Sequence, residues 1–233
     1  MQRRSIVIDT DTASDDAIAL VLAVREPSVE VRAVTVVAGN VPLDLAVRNA
    51  VVTLDLAGGA MIPLHAGRAG PLARPLDTAQ FVHGHDGMGG ASLPDPSRGA
   101  TSDDAVGELL RIAADEPGRH DLVTLGPLSN IAAALQRDPD FLTKFGHTYL
   151  MAGSPDGVGN ADALGDYNGW ADPEAPPLVC AAPGAKTMLG WNISRTFAVM
   201  TDDEQARWAA VGPLGKFAVD INGDVEQYCL DTG

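Results

Sequence analysis

Four carboxylates crowd into eight residues near the start of the chain: Asp9, Asp11, Asp15 and Asp16, in the run Ile6-Val7-Ile8-Asp9-Thr10-Asp11-Thr12-Ala13-Ser14-Asp15-Asp16. Like charges held this close repel one another and raise each other's proton affinity unless something neutralises them. A hard divalent cation would do so, because Ca2+ and Mg2+ take oxygen ligands. Helix capping is the simpler alternative. Asp15 and Asp16 fall where a helix would begin, and a helix dipole favours negative charge there. The apolar stretch before the cluster reads as a buried strand. The carboxylates would then lie beyond the carboxyl end of that strand, where open α/β sheets bind their ligands.

The elements that must position these side chains follow from hydrophobic spacing. Residues 5–11 form a strand, and 14–25 a helix with Ala17, Ile18, Leu20, Val21 and Val24 on one broad face. Residues 29–38 make a β-branched strand, 43–57 a helix ended by Gly58-Gly59, and 62–65 a third strand. A helix over 103–114, a strand over 121–125, a helix over 128–136 and a strand over 148–151 follow. The last elements are a helix over 174–181, a strand over 187–191 and a helix over 203–211 capped by Asp202. Segments 68–100 and 152–171 are Gly-rich and aperiodic. Loops this long in a compact domain are usually functional or mobile. The alternation predicts an α/β fold: an open, mostly parallel sheet with helices on both faces.

Composition narrows the class of partner. The chain of 233 residues carries a formal net charge of -15, a field that repels phosphate backbones and anionic membranes. Neither a nucleic acid nor a membrane is therefore expected as a partner. No internal repeat or linker-like run divides the chain, so residues 1–233 read as a single domain. Cys180 and Cys229 lie far apart and outside any C-x-x-C pattern, which suggests neither a disulfide scaffold nor zinc. The opening Met-Gln-Arg-Arg-Ser leads straight into a strand without an apolar leader, so a cytoplasmic protein is expected.

Two other readings of the first strand compete. A dinucleotide site would need G-x-G-x-x-G here, and no such run is present. A Mg2+-dependent phosphohydrolase of the haloacid dehalogenase type opens with a strand and D-x-D-x-T. Asp9-Thr10-Asp11-Thr12 comes close, but Ala13 stands where that motif has Thr.

The same segment resembles the D-x-D-x-x-x-D-D signature of the inosine–uridine-preferring nucleoside hydrolases, and further motifs follow in family order. Val34-Thr35-Val36-Val37-Ala38-Gly39-Asn40-Val41 resembles the second-strand motif, and His83-Gly84-His85-Asp86-Gly87-Met88-Gly89-Gly90 the H-G-x-D-G-x-G loop. Leu125-Gly126-Pro127-Leu128-Ser129-Asn130 is similar to the G-P-L-[ST]-N turn. Met151-Ala152-Gly153, Gly159-Asn160, Asp166-Tyr167-Asn168 and Asp172-Pro173-Glu174-Ala175 resemble the M-G-G…G-N…E-F-N…D-P-E-A block.

The resemblance implies a Ca2+-dependent enzyme that hydrolyses the N-glycosidic bond of ribonucleosides to ribose and free base. It implies Asp11 as general base and metal ligand, with Asp16 and the Leu125 backbone carbonyl as further metal ligands. Asp9 falls on an acid behind the ligands. Asp15, Asn40, Asn160, Asp166 and Asn168 fall on ribose-binding positions, Met151 lines the sugar pocket, and His83 belongs to the substrate-binding set. A homodimer or homotetramer is also implied. Bond breaking would place positive charge on the sugar, which carboxylates and amide oxygens stabilise, while the metal orients and acidifies water. Asn130 could serve merely to cap the helix after Pro127.

Three departures from the family pattern stand out. Thr12-Ala13 replaces Pro-Gly, and Asp166 replaces Glu. The family also carries a His-Asp pair beyond the region where this sequence stops. The chain is therefore expected to lack the family's C-terminal segment and to be a poor enzyme as it stands. A catalytically weak nucleoside- or ribose-binding module is the alternative from a different functional class.

Overall fold

The computed structural model describes residues 3–163 and 165–232. Its centre is a six-stranded sheet in which every recorded strand pair is parallel. The strands are β1 (Arg4–Thr10), β2 (Val29–Val36), β3 (Leu64–Ala66), β4 (His120–Thr124), β5 (Thr148–Met151) and β6 (Lys186–Leu189). Their order is β3-β2-β1-β4-β5-β6. The chain leaves β1 toward β2 and β3 on one side, and leaves β4 toward β5 and β6 on the other. A topological switch point therefore falls between β1 and β4, where open sheets of this type bind ligands.

Helices α1 (Ser14–Arg25), α2 (Leu43–Ala57), α3 (Gln80–His83), α4 (Ala105–Asp115) and α5 (Ser129–Arg137) link these strands as far as β5. Later come α6 (Tyr167–Ala171), α7 (Ala175–Ala181), α8 (Trp191–Phe197), α9 (Asp202–Val211), α10 (Pro213–Asp220) and α11 (Gly223–Thr232). Successive residues of a strand point to opposite faces, and β1 shows what each face meets. Val7 packs with Leu109 and Ile112 of α4, Ile131 of α5, and Phe141. Ile8 packs with Leu20 of α1 and with Ala46, Val51 and Leu54 of α2. Both faces of the sheet are thus covered, as expected. Each fully buried Leu or Ile in these layers contributes roughly 1.5–3 kcal/mol.

The structure differs from the sequence expectation in detail. The last strand ends at Leu189, and Trp191 begins α8 instead. The N-cap of α9 is Thr201 rather than Asp202, and it forms a reciprocal capping box with Glu204. The two long loops contain α3 and α6, short helices with too few residues to show a period. Helices α8 and α11, like α9, bury no residue. Helix α10 packs Phe217 and Ile221 onto Ala17 of α1 and Met88.

The long loop after β3 is not loose. The Ala38 N–H donates to the Arg68 carbonyl, and Ala79 N–H to the Asn40 carbonyl. Leu72 N–H donates to Asp172 Oδ2 at 3.0 Å, and the Tyr167 hydroxyl to the Asp77 carbonyl at 2.8 Å. These bonds strap residues 68–79 across the carboxyl end of the sheet.

Candidate active site

Asp11 follows directly from β1 and is almost fully buried. Its Oδ2 accepts the backbone N–H of Asn40 at 2.6 Å, while its Oδ1 has no hydrogen-bond partner among the described residues. Gly39 and Gly126 press against the same carboxylate. A Cβ on Gly126 would stand 2.7 Å from Asp11 Oδ1, and one on Gly39 would overlap Oδ2. Glycine is therefore required on both sides for close approach of the backbone. Asp16, also buried, accepts Thr10 Oγ1–H at 2.5 Å and the Asp11 N–H at 3.2 Å through Oδ2. Asp15 is exposed at the rim. Capping does not explain the cluster: Ala13 occupies the N-cap of α1, and no side chain caps that end.

Burial dominates the electrostatics. It raises the Asp11 pKa to about 6, with Asp15 adding to the effect and the Asn40 N–H opposing it. Asp16 is pushed well above the usual carboxylate range, by burial first and then by Asp11 and Asp15. Asp9 rises to about 7 through burial, against hydrogen bonds from Asn130 and Thr35. Such a cluster favours whatever brings positive charge: protons, a cation or a cationic transition state.

The opposite wall comes from the ends of β4 and β5. The Leu125 N–H donates to the Asp9 carbonyl at 2.7 Å, which brings the Leu125 carbonyl into the same region. That carbonyl accepts Asn168 Nδ2 at 2.6 Å, and the same amide reaches the Met151 carbonyl at 2.9 Å and Met151 Sδ at 3.2 Å. Asn168 Oδ1 makes no hydrogen bond among the described residues. Asp166 accepts the N–H groups of Gly153 and Gly169 at 2.8 and 3.3 Å, so it caps α6 and holds the loop. Asn160 is exposed, and its Oδ1 accepts the Tyr167 N–H at 2.9 Å.

Of the residues singled out from sequence, Asp11, Asp16, Asn40, Leu125, Met151 and Asn168 are thus joined by hydrogen bonds around the switch point or lie directly beside it. Asp15 and His83 stand at the edge, near enough for their charges to act on Asp11. Asn160 and Asp166 have their side chains engaged in building the α6 loop. Asn130 does more than cap a helix. It donates from Nδ2 to Asp9 Oδ1 and the Val36 carbonyl, and accepts the Arg68 N–H on Oδ1.

Three contributors escaped the sequence reading. Thr10 braces Asp16. Asn49 on α2 donates to the Thr12 carbonyl at 3.2 Å and the Asp86 carbonyl at 2.8 Å, joining the acidic turn to the His83 loop. Ser14 Oγ lies 3.0 Å from His83 Nδ1. A buried Asn on the apolar face of α2 was the available signal, since a polar group there must find partners.

The arrangement suits a hard cation. The buried Asp11 Oδ1 has no hydrogen-bond partner among the described residues, and a cation there could also draw on Asp16 and the Leu125 carbonyl. Among the described residues no group of three or more His, Cys, Asp or Glu is gathered for a metal. A cation would thus need water or substrate hydroxyls to complete its shell, as Ca2+ with 6–8 oxygens readily does.

Comparison with known proteins bears on the chain as a whole. A family model described as inosine-uridine preferring nucleoside hydrolase matches residues 6–231. An uncharacterized protein of Schizosaccharomyces pombe is 42% identical over 76% of the chain and 57% of its own length. Uridine nucleosidase 1 of Arabidopsis thaliana is 34% identical over 87% of the chain and 60% of its own length. The chain therefore spans about three-fifths of these curated relatives. The solved structure of a purine-preferring ribonucleoside hydrolase from Gardnerella vaginalis superposes with a TM-score of 0.91 at 28% identity, over 98% of this chain and 74% of that one.

Proposed function

The chain belongs to the inosine–uridine preferring nucleoside hydrolase family, and on that premise we propose that it hydrolyses the N-glycosidic bond of ribonucleosides to ribose and free base. One observation carries the reading: a buried carboxylate, Asp11, clamped on one oxygen by the Asn40 N–H and bare on the other. A group so fixed is aimed at one position and pays no reorganisation cost when it acts.

Asp11 takes the proton of the attacking water as its oxygen bonds to the anomeric carbon. The buried negative charge around Asp11 and Asp16 stabilises the cationic sugar of the transition state. The unengaged amide of Asn40 and Asn168 Oδ1 orient ribose hydroxyls, and Met151 closes the apolar side of the sugar. Asp15 meets the ribose at the rim. Asn160 and Asp166 keep α6, and so Asn168, in place. Ca2+ is part of this proposal: Asp11, Asp16 and the Leu125 carbonyl would hold it, and when bound it supplies an oriented, acidified water. The same reading takes the chain to work in the cytoplasm as a homodimer or homotetramer. Among the described residues no helix is long and apolar enough to cross a membrane.

The test is release of free base from uridine and inosine in the presence of Ca2+, beside phosphate release from a phosphomonoester with Mg2+. Base release supports the proposal. Ribose binding without turnover would leave a binding module, and phosphate release alone would replace the proposal with a phosphohydrolase.

A further inference from the structure

The contact between Ser14 and His83 has a proton to assign. Ser14 Oγ and His83 Nδ1 lie 3.0 Å apart, and both side chains are buried. Both ends are held by backbone: His83 N–H donates to the Ala79 carbonyl, Gly89 N–H donates to the His83 carbonyl, and Ser14 opens α1. The Ser14 hydroxyl makes no other hydrogen bond among the described residues. If Nδ1 carried the ring proton it would donate to Ser14 Oγ, and the hydroxyl proton would be buried without an acceptor. An unsatisfied buried donor costs its full desolvation. If the hydroxyl donates to a bare Nδ1, every proton is used, and the ring proton sits on Nε2. His83 Nε2 makes no hydrogen bond among the described residues, yet it is not one of the enclosed polar atoms. It therefore reaches open space, on a ring whose loop Asn49 ties to the acidic turn.

We propose that Ser14 is a positioning residue that fixes His83 as the Nε2–H tautomer, so that His83 presents a hydrogen-bond donor to the leaving base. This rests on the nucleoside hydrolysis reading above. The preferred leaving groups are nucleobases with an acceptor beside the glycosidic nitrogen, such as the C2 carbonyl oxygen of a pyrimidine or the corresponding ring nitrogen of a purine. When the bond from nitrogen to the anomeric carbon breaks, its electron pair goes to the base and spreads onto that acceptor. Nε2–H stabilises the charge, water oxygen bonds the anomeric carbon, the water proton goes to Asp11, and the base anion then takes a proton from solvent. Ser14 touches none of these atoms and acts only through His83.

The experiment pairs a tautomer readout with two leaving groups. Nitrogen-15 imidazole spectra, with His83 assigned by its loss in His83→Gln, should show the Nε2–H form in the wild type, a tautomer mixture in Ser14→Ala, and recovery in Ser14→Thr. Ser14→Ala should lower kcat on uridine about tenfold, the worth of one hydrogen bond, with little change in KM. The loss should be much smaller on 4-nitrophenyl riboside, whose phenolate leaves unaided. An Nδ1–H tautomer in the wild type, or equal losses on both ribosides, overturns the inference. A wild type that cleaves neither riboside tells against the hydrolase reading instead, while the spectra still decide what Ser14 does to His83.

Discussion

Asn130 on α5 reaches back 121 positions in the chain to place its amide nitrogen 2.9 Å from Asp9 Oδ1. The same side chain receives the Arg68 N–H at 2.9 Å and gives its second amide proton to the Val36 carbonyl. One buried amide thus joins β1, β2, the long loop and α5 immediately behind the acidic pocket.

Removing that amide should be costly to the fold. Asn130→Ala leaves a buried carboxylate oxygen, a carbonyl and an N–H with fewer partners, and a loss of about 3 kcal/mol in unfolding free energy is expected. Urea denaturation measures it. A loss well under 1 kcal/mol would mean that water replaces the amide freely.

At Asp11 the effect should fall on chemistry instead. Asp11→Ala should reduce nucleoside turnover by at least about 10²-fold, the usual contribution of a general base. Circular dichroism should show a retained fold, since the change also removes a buried group with a raised pKa. Turnover close to normal would take Asp11 out of its assigned role.

Calcium should act as a stabilising ligand. With free Ca2+ at about 100 times its Kd, unfolding should become harder by about 2.7 kcal/mol, and the melting temperature should rise accordingly. Asp16→Asn should abolish the response, and Mg2+ should give less, because it prefers a tighter octahedral shell and gives up water reluctantly. A melting temperature indifferent to Ca2+ and to a chelator would count against the proposed ligand set.

A pH effect is expected outside the acidic cluster, at His65 in β3. Its Nδ1 lies 2.8 Å from Ser102 Oγ, and its buried Nε2 has no hydrogen-bond partner, with Glu108 Oε1 3.8 Å away. Burial lowers its pKa below 6.5, helped by Arg111, Arg32 and Arg98, while Glu108 opposes the shift. The unfolded chain therefore binds this proton more readily than the folded one. The contribution to stability is complete above 6.5 and is lost as pH falls from there through the lowered folded value. Denaturation of His65→Gln between about pH 7 and about pH 5 should show a shallower acid slope than the wild type, a window set by the ordinary histidine range. Identical slopes would refute the assignment.

The parts legible in the sequence were those written in local pattern. The apolar run before Asp9 gave β1, and the crowding of Asp9, Asp11, Asp15 and Asp16 marked its carboxyl end as a site. Strand and helix alternated clearly enough to imply a parallel sheet. What could not be read lies in contacts between distant residues. Nothing local to Asn130 says that it bonds Asp9, and nothing local to Ser14 says that it faces His83. Nothing local to Asp166 and Asn160, expected on ribose, says that their side chains also brace α6, where a short helix that starts in a Gly-rich loop needs its N-terminal N–H groups capped. Helices α8 and α11 went unread; α9 buries no residue either, but its N-terminal capping signal gave it away.

Strand β6 closes the sheet on one side with Thr187, Met188 and Leu189 all exposed. An outer strand with free backbone groups and apolar side chains is a template on which another polypeptide can add. Lys186 is the only charge within it. Concentrated solutions of this chain should therefore cluster through this edge rather than through the acidic surface, and Met188→Lys, which adds a second gatekeeping charge, should delay the onset of light scattering.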